Sequence, residues 1–119
     1  MKKDRKSILS QSSWWMVNKA ITKNIGLDAS VLLSDLLSKS EYFFATGKFD
    51  KEGFFYNDKS KIEEATSISP YRQNLAIDIL LERGLISIKK EGMPKRFYYK
   101  VHKNIIDDFV YELGGIEEE

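Results

Sequence analysis

The chain has 119 residues, with 19 Lys plus Arg against 18 Asp plus Glu, one His, no Cys and 42% apolar residues. That length holds one domain around one core, and the apolar content at a net charge of +1 lies far from the disordered class. The missing cysteines exclude disulfide frameworks and thiolate zinc sites, and a single His excludes a histidine-built metal centre, so no metal or cofactor is expected.

A charge of +1 argues against a nucleic-acid partner until it is resolved along the chain. Residues 1–6 carry +3, residues 7–70 carry −1, residues 71–103 carry +5 and residues 104–119 carry −6. Near-neutrality is therefore a cancellation, and such sign asymmetry points toward an anionic partner. No apolar run approaches the ~20 residues that a membrane span requires, and the polar stretch after the basic start lacks the apolar core of a signal peptide. A soluble, cytoplasmic protein without a membrane partner is expected.

In chain order, residues 1–13 read as a flexible basic arm, and Trp14 and Trp15 as core packing or a staple onto the first helix. Val17, Ala20, Ile21 and Ile25 have helical spacing, and Gly26 is placed to stop that helix. Asp28 is the expected cap of a second helix. Its apolar residues, Val31, Leu32, Leu33, Leu36 and Leu37, cover more than one face and predict burial. The helix runs toward Phe44, an exposed connection spans 46–53, and Phe54-Phe55-Tyr56 predicts a short strand. Ser60 with Glu63 has the spacing of a capping box for a helix Lys61 to Thr66, with Ile62 and Ala65 facing inward. After a tight turn at Ser67-Ile68, Ser69-Pro70 opens a helix from Tyr71 to Arg83, with Ile77, Leu80 and Leu81 toward the core and Gly84 at its end.

Leu85 to Ile88 and Arg96 to Val101 alternate as strands around the turn Glu91-Gly92-Met93-Pro94, which predicts a hairpin with a basic tip. Asn104 is the expected cap of a last helix carrying Ile105, Ile106, Phe109, Val110 and Leu113, with an acidic tail over 114–119.

The predicted class is α+β, mostly helical, because a short helix, a tight turn, a second helix and a basic hairpin follow the order of a winged helix-turn-helix. Segment 58–84 is the helix-turn-helix, 85–102 the wing hairpin and 104–113 the C-terminal helix. Extra N-terminal and C-terminal helices flank this unit. The run Ile62-Glu63-Glu64-Ala65-Thr66-Ser67-Ile68-Ser69-Pro70, continued by Ala76-Ile77, Leu80 and Glu82-Arg83-Gly84-Leu85-Ile86, resembles the winged-helix pattern. It departs from that pattern at Ser67, where Gly is usual. Val17 to Leu27 and Gly92-x-Pro94-Lys95-Arg96-Phe97-Tyr98 further resemble the replisome-organiser and DnaD-like replication initiators of Gram-positive phages and mobile elements. Those initiators usually carry a further C-terminal domain, so replication initiation and transcriptional regulation both stay open. The resemblance implies a replication or transcription protein as a further partner.

Double-stranded DNA is the expected partner. In helix-turn-helix proteins the start of the second helix reaches base edges in the major groove. Here those positions are Tyr71, Arg72, Gln73, Asn74 and Asp78: Arg pairs with guanine O6 and N7, and Asn or Gln with adenine N6 and N7. Burial is the competing expectation for Gln73. Ser69 with the helix N-terminus suits a phosphate, and Lys89, Lys90, Lys95, Arg96 and Lys100 of the wing suit phosphates or the minor groove.

The alternative is a winged-helix protein-interaction or oligomerisation module without DNA binding, motivated by the second apolar row Leu75 and Ile79. The stripe Ile106, Phe109, Val110, Leu113 is a candidate homodimerisation face, with burial in the monomer as its competitor. Catalysis is not expected. Glu63/Glu64 and Asp107/Asp108 are adjacent in sequence, so on helices they diverge by ~100°, and His102 has no nucleophile at a meaningful spacing.

Overall fold

The computed structural model describes residues 17–114. The basic arm, Trp14, Trp15 and the acidic residues of the tail from 115 on lie outside the described residues. Two helices lead, α1 (Lys19–Ile25) and α2 (Leu27–Thr46). The Asn18 side chain caps α1 by accepting from the Ile21 N–H at 3.0 Å. Gly26, at φ 91°, ends α1 and also occupies the cap position of α2. Asp28 is therefore not a cap. It lies in the first turn of α2, because the left-handed-side backbone at Gly26 turns the chain into the next helix one residue earlier than Asp28 would.

A loop with an Asp50 turn follows, its Oδ1 accepting from the Glu52 and Phe54 N–H groups at 2.9 and 3.0 Å. It delivers the chain to β1 (Phe55–Tyr56), then α3 (Lys59–Thr66), α4 (Pro70–Glu82), β2 (Ile86–Glu91), β3 (Arg96–Val101) and α5 (Lys103–Glu112). The strands form one antiparallel sheet in the order β1-β3-β2.

Two helix starts differ from expectation. The carboxylate of Asp58, not Ser60, caps α3 by accepting from the Lys61 N–H at 2.8 Å, so the Ser60/Glu63 capping box does not form. At α5 the cap position is His102, without a side-chain cap bond, and Asn104 is already helical. Ser69 caps α4 as expected, with Pro70 at its first position.

The core centres on α2, whose Ala29, Leu32, Leu33 and Leu36 are buried against Ile62 of α3, Ala76, Ile77 and Leu80 of α4, and Phe55 and Tyr99 of the sheet. Leu81 is 41% exposed and Ala65 is also exposed, contrary to expectation. The buried line of α4 is Gln73, Ala76, Ile77 and Leu80, and one residue further is ~100° around the helix. In α3 only Ile62 is buried. The α5 stripe faces inward: Ile106 is buried, and Phe109, Val110 and Leu113 pack against the same core. Of the side chains offered for a homodimer face, Ile106 is thus buried within the monomer and the other three are partly buried there.

Candidate nucleic-acid interface

Gln73 fixes how α4 sits on α3. Its side chain is fully buried, and Nε2 donates to the carbonyl oxygens of Lys59 at 3.0 Å and Ile68 at 2.8 Å. One amide thus ties the start of α3 and the inter-helix turn to the second turn of α4. Gln73 supports the candidate surface from beneath and leaves the set of exposed base-reading candidates.

With that face turned inward, helical periodicity places Tyr71, Leu75 and Asp78 on the outermost line of α4. Tyr71 is 72% and Leu75 52% exposed. Arg72 lies on the flank toward α2, where its Nε donates to Asp28 Oδ2 at 2.8 Å and its Nη2 to Oδ1 at 2.5 Å. This pairing holds the Asp28 carboxyl below the usual carboxylate range. Asn74 lies on the opposite flank, its Oδ1 accepting from Lys59 Nζ. Each polar flanking residue is therefore gripped by a side chain from another helix. Beside Arg72, Ile25, Leu27, Leu75 and Ile79 line a shallow open groove of about 300 Å³. Ser69 Oγ accepts from the Arg72 N–H at 3.4 Å, so its hydroxyl serves as the helix cap.

The wing cations separate by strand register. Ser87 pairs with Lys100, Lys89 with Tyr98 and Glu91 with Arg96, so these share the outer face, whereas Lys90 pairs with Phe97 on the face that continues toward the core. Lys89 is spoken for: its ammonium lies 2.5 Å from Asp50, 3.2 Å from Glu52 and 3.6 Å from Glu91, and 4.6 Å from the Phe54 ring centroid. Hydrogen bonding to Asp50 first, then Glu52, pushes its pKa well above the usual lysine value. Lys100 is half-buried near the same ring at 6.0 Å. Lys90, Lys95 and Arg96 are exposed and take no part in the ion pairs among the described residues. Arg96 lies 5.6 Å from the Tyr56 ring, and Lys61 of α3 lies 5.3 Å from the same ring.

A short cationic link between α3 and the wing results, through Lys61, Tyr56 and Arg96. Neither Lys59 nor Lys61 stood out in the sequence. The signal was available, since the first helix of a helix-turn-helix crosses the phosphate backbone and these lysines open that helix. Asp28 had no such signal, being 44 residues from Arg72.

Elsewhere, Ser87 Oγ and His102 Nε2 lie 2.6 Å apart, joining the base of the hairpin to the start of α5. Among the described residues no three His, Cys, Asp or Glu side chains are grouped to hold a metal ion, and no helix is long and apolar enough to cross a membrane.

Two solved structures are similar to this arrangement over nearly the whole chain. One, described as the N-terminal domain of a DNA binding protein, aligns over 99% of this chain and 99% of its own with a TM-score of 0.65 at 15% identity. The other, described as the structure of a Rep-DNA complex, aligns over 99% of this chain and 100% of its own with a TM-score of 0.66, also at 15% identity. The fold is a winged helix-turn-helix. No family model and no curated protein matches the sequence, and at such identity the likeness speaks for the fold. Within the winged helix, α3 and α4 are the helix-turn-helix, β2 and β3 the wing, and α1, α2 and α5 the supporting helices.

Proposed function

We propose that this winged helix binds duplex DNA, as a non-catalytic protein of phage or mobile-element type acting in replication initiation or transcriptional regulation. The observation that carries this reading is the N-terminal half of α4. It exposes Tyr71, Arg72, Asn74 and Leu75, and its two polar flanks are held in place by neighbouring helices. The descriptions of the similar structures, one of them a Rep-DNA complex, agree with it.

In this reading Arg72 pairs with guanine O6 and N7, Asn74 reads adenine, and Leu75 meets a thymine methyl, a contact for which an exposed apolar side chain on a reading helix is suited. Lys59, Lys61, Lys90, Lys95 and Arg96 meet phosphates and set the register. Selection from random duplexes, followed by fluorescence anisotropy, tests it. Arg72→Ala is expected to lose on the order of tenfold to a hundredfold at one base position, whereas Lys95→Ala weakens all sequences alike. Retention of no duplex at low salt overturns the reading. It would favour the protein-interaction module instead, for which Leu27, 64% exposed beside Leu75, is the supporting observation.

A further inference from the structure

We propose that Asp28 is a positioning residue for base recognition, holding Arg72 by the Nε–Nη2 edge of its guanidinium so that the adjacent Nη1–Nη2 edge is left for end-on contact with a guanine. The inference rests on the duplex-binding reading and adds to it a specificity role for α2.

The argument starts from guanidinium geometry. The planar group carries five N–H bonds, and Asp28 accepts from Nε and Nη2, which are the two donors of the lateral edge. One N–H of Nη1 and one of Nη2 remain on the end-on edge, parallel and spaced for two acceptors. Guanine O6 and N7 are such a pair in the major groove. The carboxylate therefore leaves unobstructed the edge that a bidentate base contact uses.

The holder is itself fixed. Asp28 stands in the first turn of α2, immediately before the buried Ala29 and Ser30, so its backbone moves only with the core. Negative charge is also favoured at that end of a helix. The pair is too exposed to contribute much to folding, with side-chain exposures of 51% for Arg72 and 34% for Asp28. What it does supply is orientation. A free arginine samples many rotamers and loses that freedom on binding, while a held one has lost it beforehand. Asp28, like any carboxylate, is ionised throughout the neutral range, and the Arg72 pairing lowers its pKa further.

A different role would carry the opposite sign. If Asp28 masked Arg72, its removal would release the arginine and strengthen binding, the more so because a carboxylate near phosphates repels them.

The test uses the duplex recovered by selection, with 7-deazaguanine substituted at each guanine in turn, which removes the N7 acceptor. Wild type is expected to lose about tenfold at one guanine, and Arg72→Ala to show a ratio near one there. Asp28→Ala is expected to lower that ratio severalfold, with Asp28→Asn intermediate because it keeps one acceptor oxygen. Affinity of both variants for an unrelated duplex should stay level or rise, and their melting temperatures should stay within a few degrees of wild type. A wild-type ratio in Asp28→Ala overturns the proposal, and so does a gain in affinity for the selected duplex with the ratio preserved. Failure of the underlying reading looks different: the wild type then shows no sensitive guanine, or Arg72→Ala keeps the sensitivity.

Discussion

Ser67 links the two helices of the helix-turn-helix with φ 65°, in the left-handed region where a side chain is uncomfortable. The backbone there is set by its neighbours. The Ser67 N–H closes α3 on the Glu63 carbonyl at 2.8 Å, and Thr66 Oγ1 accepts from the Ile68 N–H at 3.1 Å, and these bonds hold the turn on either side of Ser67. Ser67→Gly is accordingly expected to stabilise the fold by ~0.5–1 kcal/mol, the relief of the left-handed strain exceeding the added flexibility of the unfolded chain. A urea unfolding midpoint that moves down instead would show that the serine side chain contributes more than it strains. The departure from glycine was visible in the sequence, whereas the burial of Gln73 stood there only as the competitor of a base contact, although positions 73, 76, 77 and 80 follow the spacing of a helix's inner stripe. Its amide chemistry suggested a base contact, yet Nε2 donates to two carbonyl groups beneath, while the buried Oε1 has no hydrogen-bond partner among the described residues.

At the level of elements, the helices and strands were legible, as was the Ser69 cap of α4, but the starts of α3 and α5 were not, because the sheet decides where those two helices begin. Asn57 still donates its N–H to the Phe97 carbonyl at 3.2 Å, which keeps the chain extended and leaves Asp58 as the first residue able to cap α3. His102 likewise donates to the Leu85 carbonyl at 3.0 Å, so α5 starts at Lys103. Local capping preference ranks Ser60 and Asn104 well, but these long-range bonds are invisible to it. The same holds in the wing, where the run of basic residues could be read but not the distribution of its partners. Lys89 is balanced by Asp50, Glu52 and Glu91, whereas Lys95 lies in the exposed tip. Salt titrations of duplex affinity should separate them. Lys95→Ala is expected to reduce the slope of log affinity against log salt by about 0.9, and Lys89→Ala by less than about 0.3. Equal reductions would mean that the Lys89 ion pairs open on the DNA.

For the molecule as a whole, α5 has two roles to be told apart, closing one monomer or joining two. Its apolar stripe, as a pattern, fits either role. The packing favours the first: Ile106 is 5% exposed against the core, Phe109, Val110 and Leu113 join it, and the Arg83 guanidinium lies 5.7 Å from the Phe109 ring centroid. The residues that α5 turns outward are Ile105 and Tyr111, 45% and 54% exposed, together with Lys103, Asn104, Asp107, Asp108 and Glu112, a face too charged to be the apolar centre of a stable pair. Ile106→Ala should therefore act as a core cavity substitution, costing ~2–4 kcal/mol in unfolding free energy. The folded fraction should keep the wild-type sedimentation coefficient, and its unfolding midpoint should not vary with protein concentration. If the stripe joined two chains, the wild-type midpoint would rise with concentration and the substitution would shift the sedimenting species toward smaller mass.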